Sequence, residues 1–170
     1  MTVPPQAGTT LRPPSERVSR RAPLFWTVRA GAGWAALLVA ETVLLFGTPL
    51  HHTAPGRPVW PAVTVTIAAA HLVVMPRWRH RVHRWEAAPL AVYAQNGWFH
   101  QERRIVPVSR IQTVDVRRGP LHSLFGLADV TVTTASARGP VHLHALDHEV
   151  ADRLVEDLSR RIRETTGDAT

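Results

Sequence analysis

The chain has 170 residues, with twenty basic side chains against thirteen acidic ones and a formal charge of +7. All twenty are arginine and cysteine is absent, which excludes disulfide frameworks, thiolate metal sites and cysteine nucleophiles. A mean hydropathy of −0.07 averages two unlike halves: residues 24–75 are strongly apolar, and residues 76–170 carry most of the charge.

Residues 1–23 hold five prolines and four arginines with little apolar mass. Such a segment cannot bury enough surface to fold, so a disordered tail is expected there. The stretch 24–48 is apolar apart from Arg29 and Glu41, and 59–76 begins with seventeen residues, Val59–Met75, free of formal charge. Each approaches the roughly 17–25 residues that cross a bilayer as a helix. A polar loop, 49–58, joins them. Arg12, Arg17, Arg20 and Arg21 precede the first span, Arg77, Arg79, Arg81 and Arg84 follow the second, and the loop has only Arg57. The positive-inside rule then puts both termini in the cytoplasm. Trp26 and Trp78 fall at the inner face and Trp60 at the outer, where amphipathic rings prefer the headgroup layer. A cleaved signal peptide fits poorly, because no small-x-small site follows the first apolar run before the loop.

Polar side chains inside the spans need partners. Glu41 lies seven residues inside the outer end, and depth matching at about 1.5 Å per residue selects Thr66 or Thr64 on the second helix. His71 is level with Arg29 near the inner face, where Arg29 can snorkel to the headgroups.

The second half reads as a small β-rich domain, residues 77–164, with a frayed tail at 165–170. A strand is expected over 85–94, a hairpin at Asn96-Gly97, and a strand over Trp98–Val106 ended by Pro107. Val114 and Val116 share one strand face, Val130 and Val132 another, and Val141, Leu143 and Ala145 a third. Gly119-Pro120 ends a strand, and LHSLFG suggests a helical turn closed by Gly126. Gly119 and Gly126 both suit positive φ. Leu146, Val150, Leu154, Leu158 and Ile162 recur every four residues after Asp147, a good N-cap, so an amphipathic helix closes the domain. Close-spaced strands with turn residues between them indicate an antiparallel sheet or barrel of the α+β class.

Several of these segments resemble a known family: RWE at 84–86, Pro107, Ser109-Arg110-Ile111-Gln112, Gly119-Pro120, Leu124-Phe125-Gly126 and Thr134-Ala135, in that order, followed by Leu146 and its helix. They are similar to the bacterial pleckstrin-homology-like membrane proteins once grouped as DUF304 (bPH2), of the YdbS type, over residues 77–160. The preceding two-helix hairpin is similar as well. Ala87-Ala88-Pro89 departs from the Thr-Asp-type turn more usual there. The resemblance implies a pleckstrin-homology-like split β-barrel capped by the C-terminal helix. It also implies a binding role in assembly with another membrane protein carrying related domains, in cell-envelope or stress-resistance functions.

No nucleophile elbow, Walker sequence, zinc-protease motif or dinucleotide fingerprint is present, so no enzyme activity and no cofactor is expected. The histidine pairs His51-His52, His80/His83 and His142/His144 lack an evident third ligand, and no metal site is assigned. Eight arginines flank the spans, where topology explains them, so specific nucleic-acid binding is not expected. Arg103, Arg104, Arg110, Arg117, Arg118 and Arg138 remain in the domain. Ala94–His100 carries no arginine, which argues against phosphoinositide recognition by that hairpin. Arg104 and Arg117 are taken as a partner or anionic-lipid surface, with Arg110 and Gln112 anchoring the strand. Membrane lipids, a related membrane protein and a second copy of the chain are the expected partners.

Overall fold

A computed structural model describes residues 14–47, 59–97 and 102–167, with side chains through Glu164. In chain order the elements are β1 (Glu16–Arg17), α1 (Ala22–Gly47), α2 (Val59–Val82), β2 (Arg84–Ala87), β3 (Ala91–Asn96) and β4 (Glu102–Pro107). A 3-10 turn (Val108–Arg110) leads to β5 (Ile111–Arg117), α3 (Pro120–Phe125), β6 (Leu127–Thr134), β7 (Val141–Asp147) and α4 (His148–Gly167). The strands form two antiparallel sheets, β1-β2-β3-β4 and β5-β6-β7. This is the α+β arrangement expected.

Helices α1 and α2 have 26 and 24 residues, about 36–39 Å at 1.5 Å per residue, enough to cross a bilayer. Their most apolar stretches are 0% and 11% buried within the protein, whereas the core helix of a soluble bundle would be covered. Leu37, Val39, Val43, Leu44 and Phe46 point outward on α1, as do Val65, Ile67, Val73 and Val74 on α2. Lipid is the medium that suits such surfaces.

The core of the domain lies between the sheets and α4. Val92 and Val106 from the first sheet meet Val130, Val132, Val141 and Leu143 from the second, and Ala151, Leu154 and Leu158 close the assembly. The four-residue stripe of α4 is what seats it there.

The boundaries differ from the sequence expectation in several places. Part of the supposed tail is built into the fold: Glu16 pairs with Trp85 and Arg17 with Arg84. Val18, Ala22, Phe25 and Trp26 pack on Leu127 and Ala145 in a second apolar cluster. Composition missed this because a two-residue strand borrows its stability from the preformed edge of β2. Residues 1–13 lie outside the described residues, as do 48–58, which contain the expected loop. Helix α2 continues past 76 to Val82, its last turn basic as the helix dipole favours. Helix α4 continues past 164 to Gly167.

The expected strand 85–94 is two strands. Ala88 donates its N–H to the Ala91 carbonyl at 2.9 Å, and Pro89 and Leu90 form the bend between β2 and β3. The hairpin after Asn96 is longer than two residues, because Asn96 is opposite Glu102. Residues 98–101, where a strand was expected, lie outside the described residues.

Candidate functional site

Strand β4, the 3-10 turn, the end of β6 and the turn leading into β7 enclose a cleft of about 280 Å³. Four arginines line it (Arg103, Arg104, Arg110 and Arg138), with Thr134, Ser136 and the apolar edge of Ile105, Val106 and Pro107. No carboxylate is among these lining residues.

Arg104 forms the wall rather than a free surface. Its Nη1 donates to the Pro140 carbonyl at 2.7 Å, and its Nη2 donates to Arg138 O at 2.8 Å and Gly139 O at 3.0 Å. The side chain is 16% exposed, and Glu102 Oε1 stands 3.7 Å from Nε. Alternation along β4 turns Arg104 toward the opposite sheet, where it braces the β6–β7 turn; Gly139 there has φ of 75°. The expectation that Arg104 is open to a partner is therefore corrected. Arg117 is exposed on β5, opposite Asp129 in register and outside the cleft lining. Arg104 and Arg117 do not form one surface.

The hydroxyls are arranged differently. Thr134 Oγ1 accepts from the Ser136 N–H at 3.4 Å, and Ser136 Oγ accepts from the Arg138 N–H at 3.3 Å. Each keeps its own O–H to donate. Arg110 and Arg138 are exposed and pair with no acid among the described residues.

The other motif positions serve the backbone. Pro107 leads into the 3-10 turn, Ser109 and Arg110 sit within it, and the Arg110 carbonyl accepts from the Ala135 N–H at 3.3 Å. Gln112 is exposed at a register shift between Ile111 and Thr113. The strand is anchored there by backbone, not by the Arg110 and Gln112 side chains. Gly119 and Pro120 begin α3, but Gly119 has φ of −89°, so its expected positive φ is not adopted. Gly126 does adopt it, at 65°. A Cβ at Gly126 would meet Arg21 Nη1 at 2.9 Å.

A second polar cluster sits where the domain meets the helices. A bulge between β6 and β7 turns Asp129 toward the Ala145 amide, whose N–H it accepts at 2.8 Å. Ala145, the one non-glycine residue with positive φ among those described (54°), gives its carbonyl to the Ser19 N–H at 3.1 Å. His122 Nε2 and His144 Nδ1 lie 3.4 and 3.3 Å from Asp129 Oδ2. Burial pushes the Asp129 carboxyl up, but the His144 and Ala145 hydrogen bonds and the histidine charges outweigh it and hold it below its usual value. His83 is buried, with Nδ1 3.0 Å from the Arg79 carbonyl; burial first, then the Arg79 charge, lowers its pKa to about 4. His142 stacks on His144 with ring centroids 5.8 Å apart and is also lowered, by burial and then by the His144 charge. Alternation placed His142 and His144 on one face. It could not find Asp129, because the bulge that turns it has no local signal.

Within the spans, Thr64 donates to Glu41 Oε1 at 2.6 Å. Thr66 instead gives its hydroxyl to the Ala62 carbonyl of its own helix, at 2.8 Å. Of the two expected partners, Thr66 or Thr64, Glu41 takes Thr64. His71 accepts from the Trp34 indole N–H at 3.0 Å, and Arg29 is exposed on α1.

A family model described as the bacterial PH domain matches residues 34–162. The chain is 41% identical over 96 residues to the UPF0699 transmembrane protein YdbS of Bacillus subtilis (strain 168), a match covering 56% of this chain and 58% of that protein. The aligned part thus spans little more than half of that relative's length. No solved structure matches.

Proposed function

Because the chain belongs to the bacterial PH domain family, we propose that it is a non-enzymatic membrane-anchored module that binds and assembles with another membrane protein carrying related domains. The observation that carries this reading is the cleft beside β4, whose polar side chains are guanidinium and hydroxyl donors without a carboxylate. Such a lining suits a negatively charged group. Pairing of β1 with β2 keeps the residues before α1 and after α2 on one side of a two-pass protein. The arginine distribution supports a cytoplasmic position for that side.

The test is site-specific photocrosslinking in intact membranes, with the probe at Ile105, which is 45% exposed on β4, and a control probe at Glu156 on α4. A discrete adduct with a second membrane protein bearing PH-like domains is expected at 105 and not at 156. Arg110→Gln with Arg138→Gln should abolish it. The absence of any adduct at 105 overturns the assembly reading.

A further inference from the structure

We infer that the cleft is a receptor for a terminal phosphate group, as on a phosphomonoester or a pyrophosphate; this deepens the binding role proposed above and rests on it. Arg110 and Arg138 line it, as does Arg103; of these, Arg110 and Arg138 pair with no acid among the described residues. Guanidinium groups gathered in a space of about 280 Å³ repel one another, and an anion of more than one charge relieves that repulsion.

The donor inventory selects phosphate over carboxylate. The two lone O–H donors of Thr134 and Ser136 add to the guanidinium forks, because both oxygens already accept backbone N–H groups. A carboxylate brings one charge and two oxygens. A phosphate ester brings about −1.5 to −2 and three strong acceptor oxygens, which matches several forks and two hydroxyls. The cleft is near the small end of ligand pockets, which run from roughly 300 Å³, so a phosphate with a short appendage fits.

The wall is rigid before anything binds. Three hydrogen bonds from Arg104 fix the β6–β7 turn that carries Ser136 and Arg138, so little ordering is required on binding. Thr134 closes the eight-residue strand β6, whose first residue, Leu127, packs on the root of α1. At about 3.3 Å per residue the two ends of that strand stand roughly 23 Å apart. The cleft therefore opens a strand's length from the helix roots.

The experiment titrates inorganic pyrophosphate into the full-length chain in nanodiscs, followed by calorimetry. Saturable binding is expected in phosphatidylcholine discs, with acetate at least tenfold weaker. Arg110→Gln and Arg138→Gln should each weaken pyrophosphate on the order of tenfold, while Arg117→Gln, outside the cleft, should not. Discs containing phosphatidic acid, matched in charge by phosphatidylglycerol discs, separate the sources. Equal affinity in both assigns a soluble phosphate, and weaker binding with phosphatidic acid alone assigns the lipid monoester. Pyrophosphate that does not bind, binds no better than acetate, or binds unchanged in both cleft variants overturns the inference. Crosslinking at Ile105 that persists while pyrophosphate fails to bind removes the phosphate receptor and leaves the assembly role standing.

Discussion

Ser19 and Asp147, 128 positions apart in the chain, are joined by a 2.6 Å hydrogen bond from the serine hydroxyl to the carboxylate. Sequence reasoning gave Asp147 the role of an N-cap; it sits just before α4, but its Oδ1 is engaged by the residue that precedes α1. The domain is thereby tied to the root of its own anchor. Ser19→Ala should cost about 1.5–3 kcal/mol, the range for a hydrogen bond to a charged group. Limited proteolysis near residue 20 reads this directly. Unchanged cleavage rates would mean that the apolar contacts of Phe25 and Trp26 alone hold the joint.

Arg104 and Arg117 should separate cleanly. Arg104→Ala removes three bonds to carbonyls and should destabilise the domain by about 2–3 kcal/mol. Arg117→Ala should stay within about 0.5 kcal/mol, as exposed substitutions usually do. Chemical denaturation of the full-length chain in detergent compares them, and equal midpoints would contradict the brace.

Leu158 is fully covered between α4 and the sheets. Leu158→Ala should cost roughly 2–5 kcal/mol through lost burial and the cavity left behind. Leu90, 84% exposed, is the matched control and should show almost none of that loss in the same denaturation series.

Acid should loosen the joint between helices and domain. Burial lowers the His83 pKa to about 4 from the ordinary histidine value of about 6.5, so the unfolded chain takes up a proton that the folded chain excludes. Stability therefore falls as pH drops below about 6.5 and levels off below about 4. Asp129, held below its ordinary value, contributes stability above that value and loses it only at lower pH. Its window lies beneath that of His83. Melting temperatures of His83→Gln between pH 7 and 4 should be flatter than those of the parent chain; parallel curves would refute the assignment.

Orientation is testable because the chain has no cysteine. Single cysteines at His52 and Ser136 should react oppositely with an impermeant thiol reagent on intact cells, His52 labelling and Ser136 not. Labelling at Ser136 alone would invert the topology.

The features legible in the sequence were those with a local period. The four-residue stripe of α4, the valine alternation of β5 and β6 and the two apolar runs each announce themselves within twenty residues. The Glu41–Thr64 pair was half legible, because helical rise fixes depth. Thr64 and Thr66 share that depth but differ by about 200° around the axis at 3.6 residues per turn, and rise alone cannot choose between them. The brace by Arg104 was not legible: its carbonyl partners lie 34 to 36 positions away, and an arginine on an edge strand looks like solvent-facing charge. The cleft was hidden for the same reason, since three separate segments supply its donors. Gln112 looks like an anchor from its motif, but a register shift between Ile111 and Thr113 leaves it without a residue opposite on β6.

The short β1–β2 ladder has a consequence for biogenesis. Residues 16 and 17 leave the ribosome long before Arg84 and Trp85, with both hydrophobic helices between them. The first strand can find its mate only after the second helix has been threaded back, so sheet completion reports that insertion is finished. A soluble fragment cut after α2 would lack Val18, Phe25 and Trp26 and would bare Leu127 and Ala145, which those residues cover. Such a fragment invites aggregation for a reason unrelated to its own strands: the missing lid belongs to the anchor.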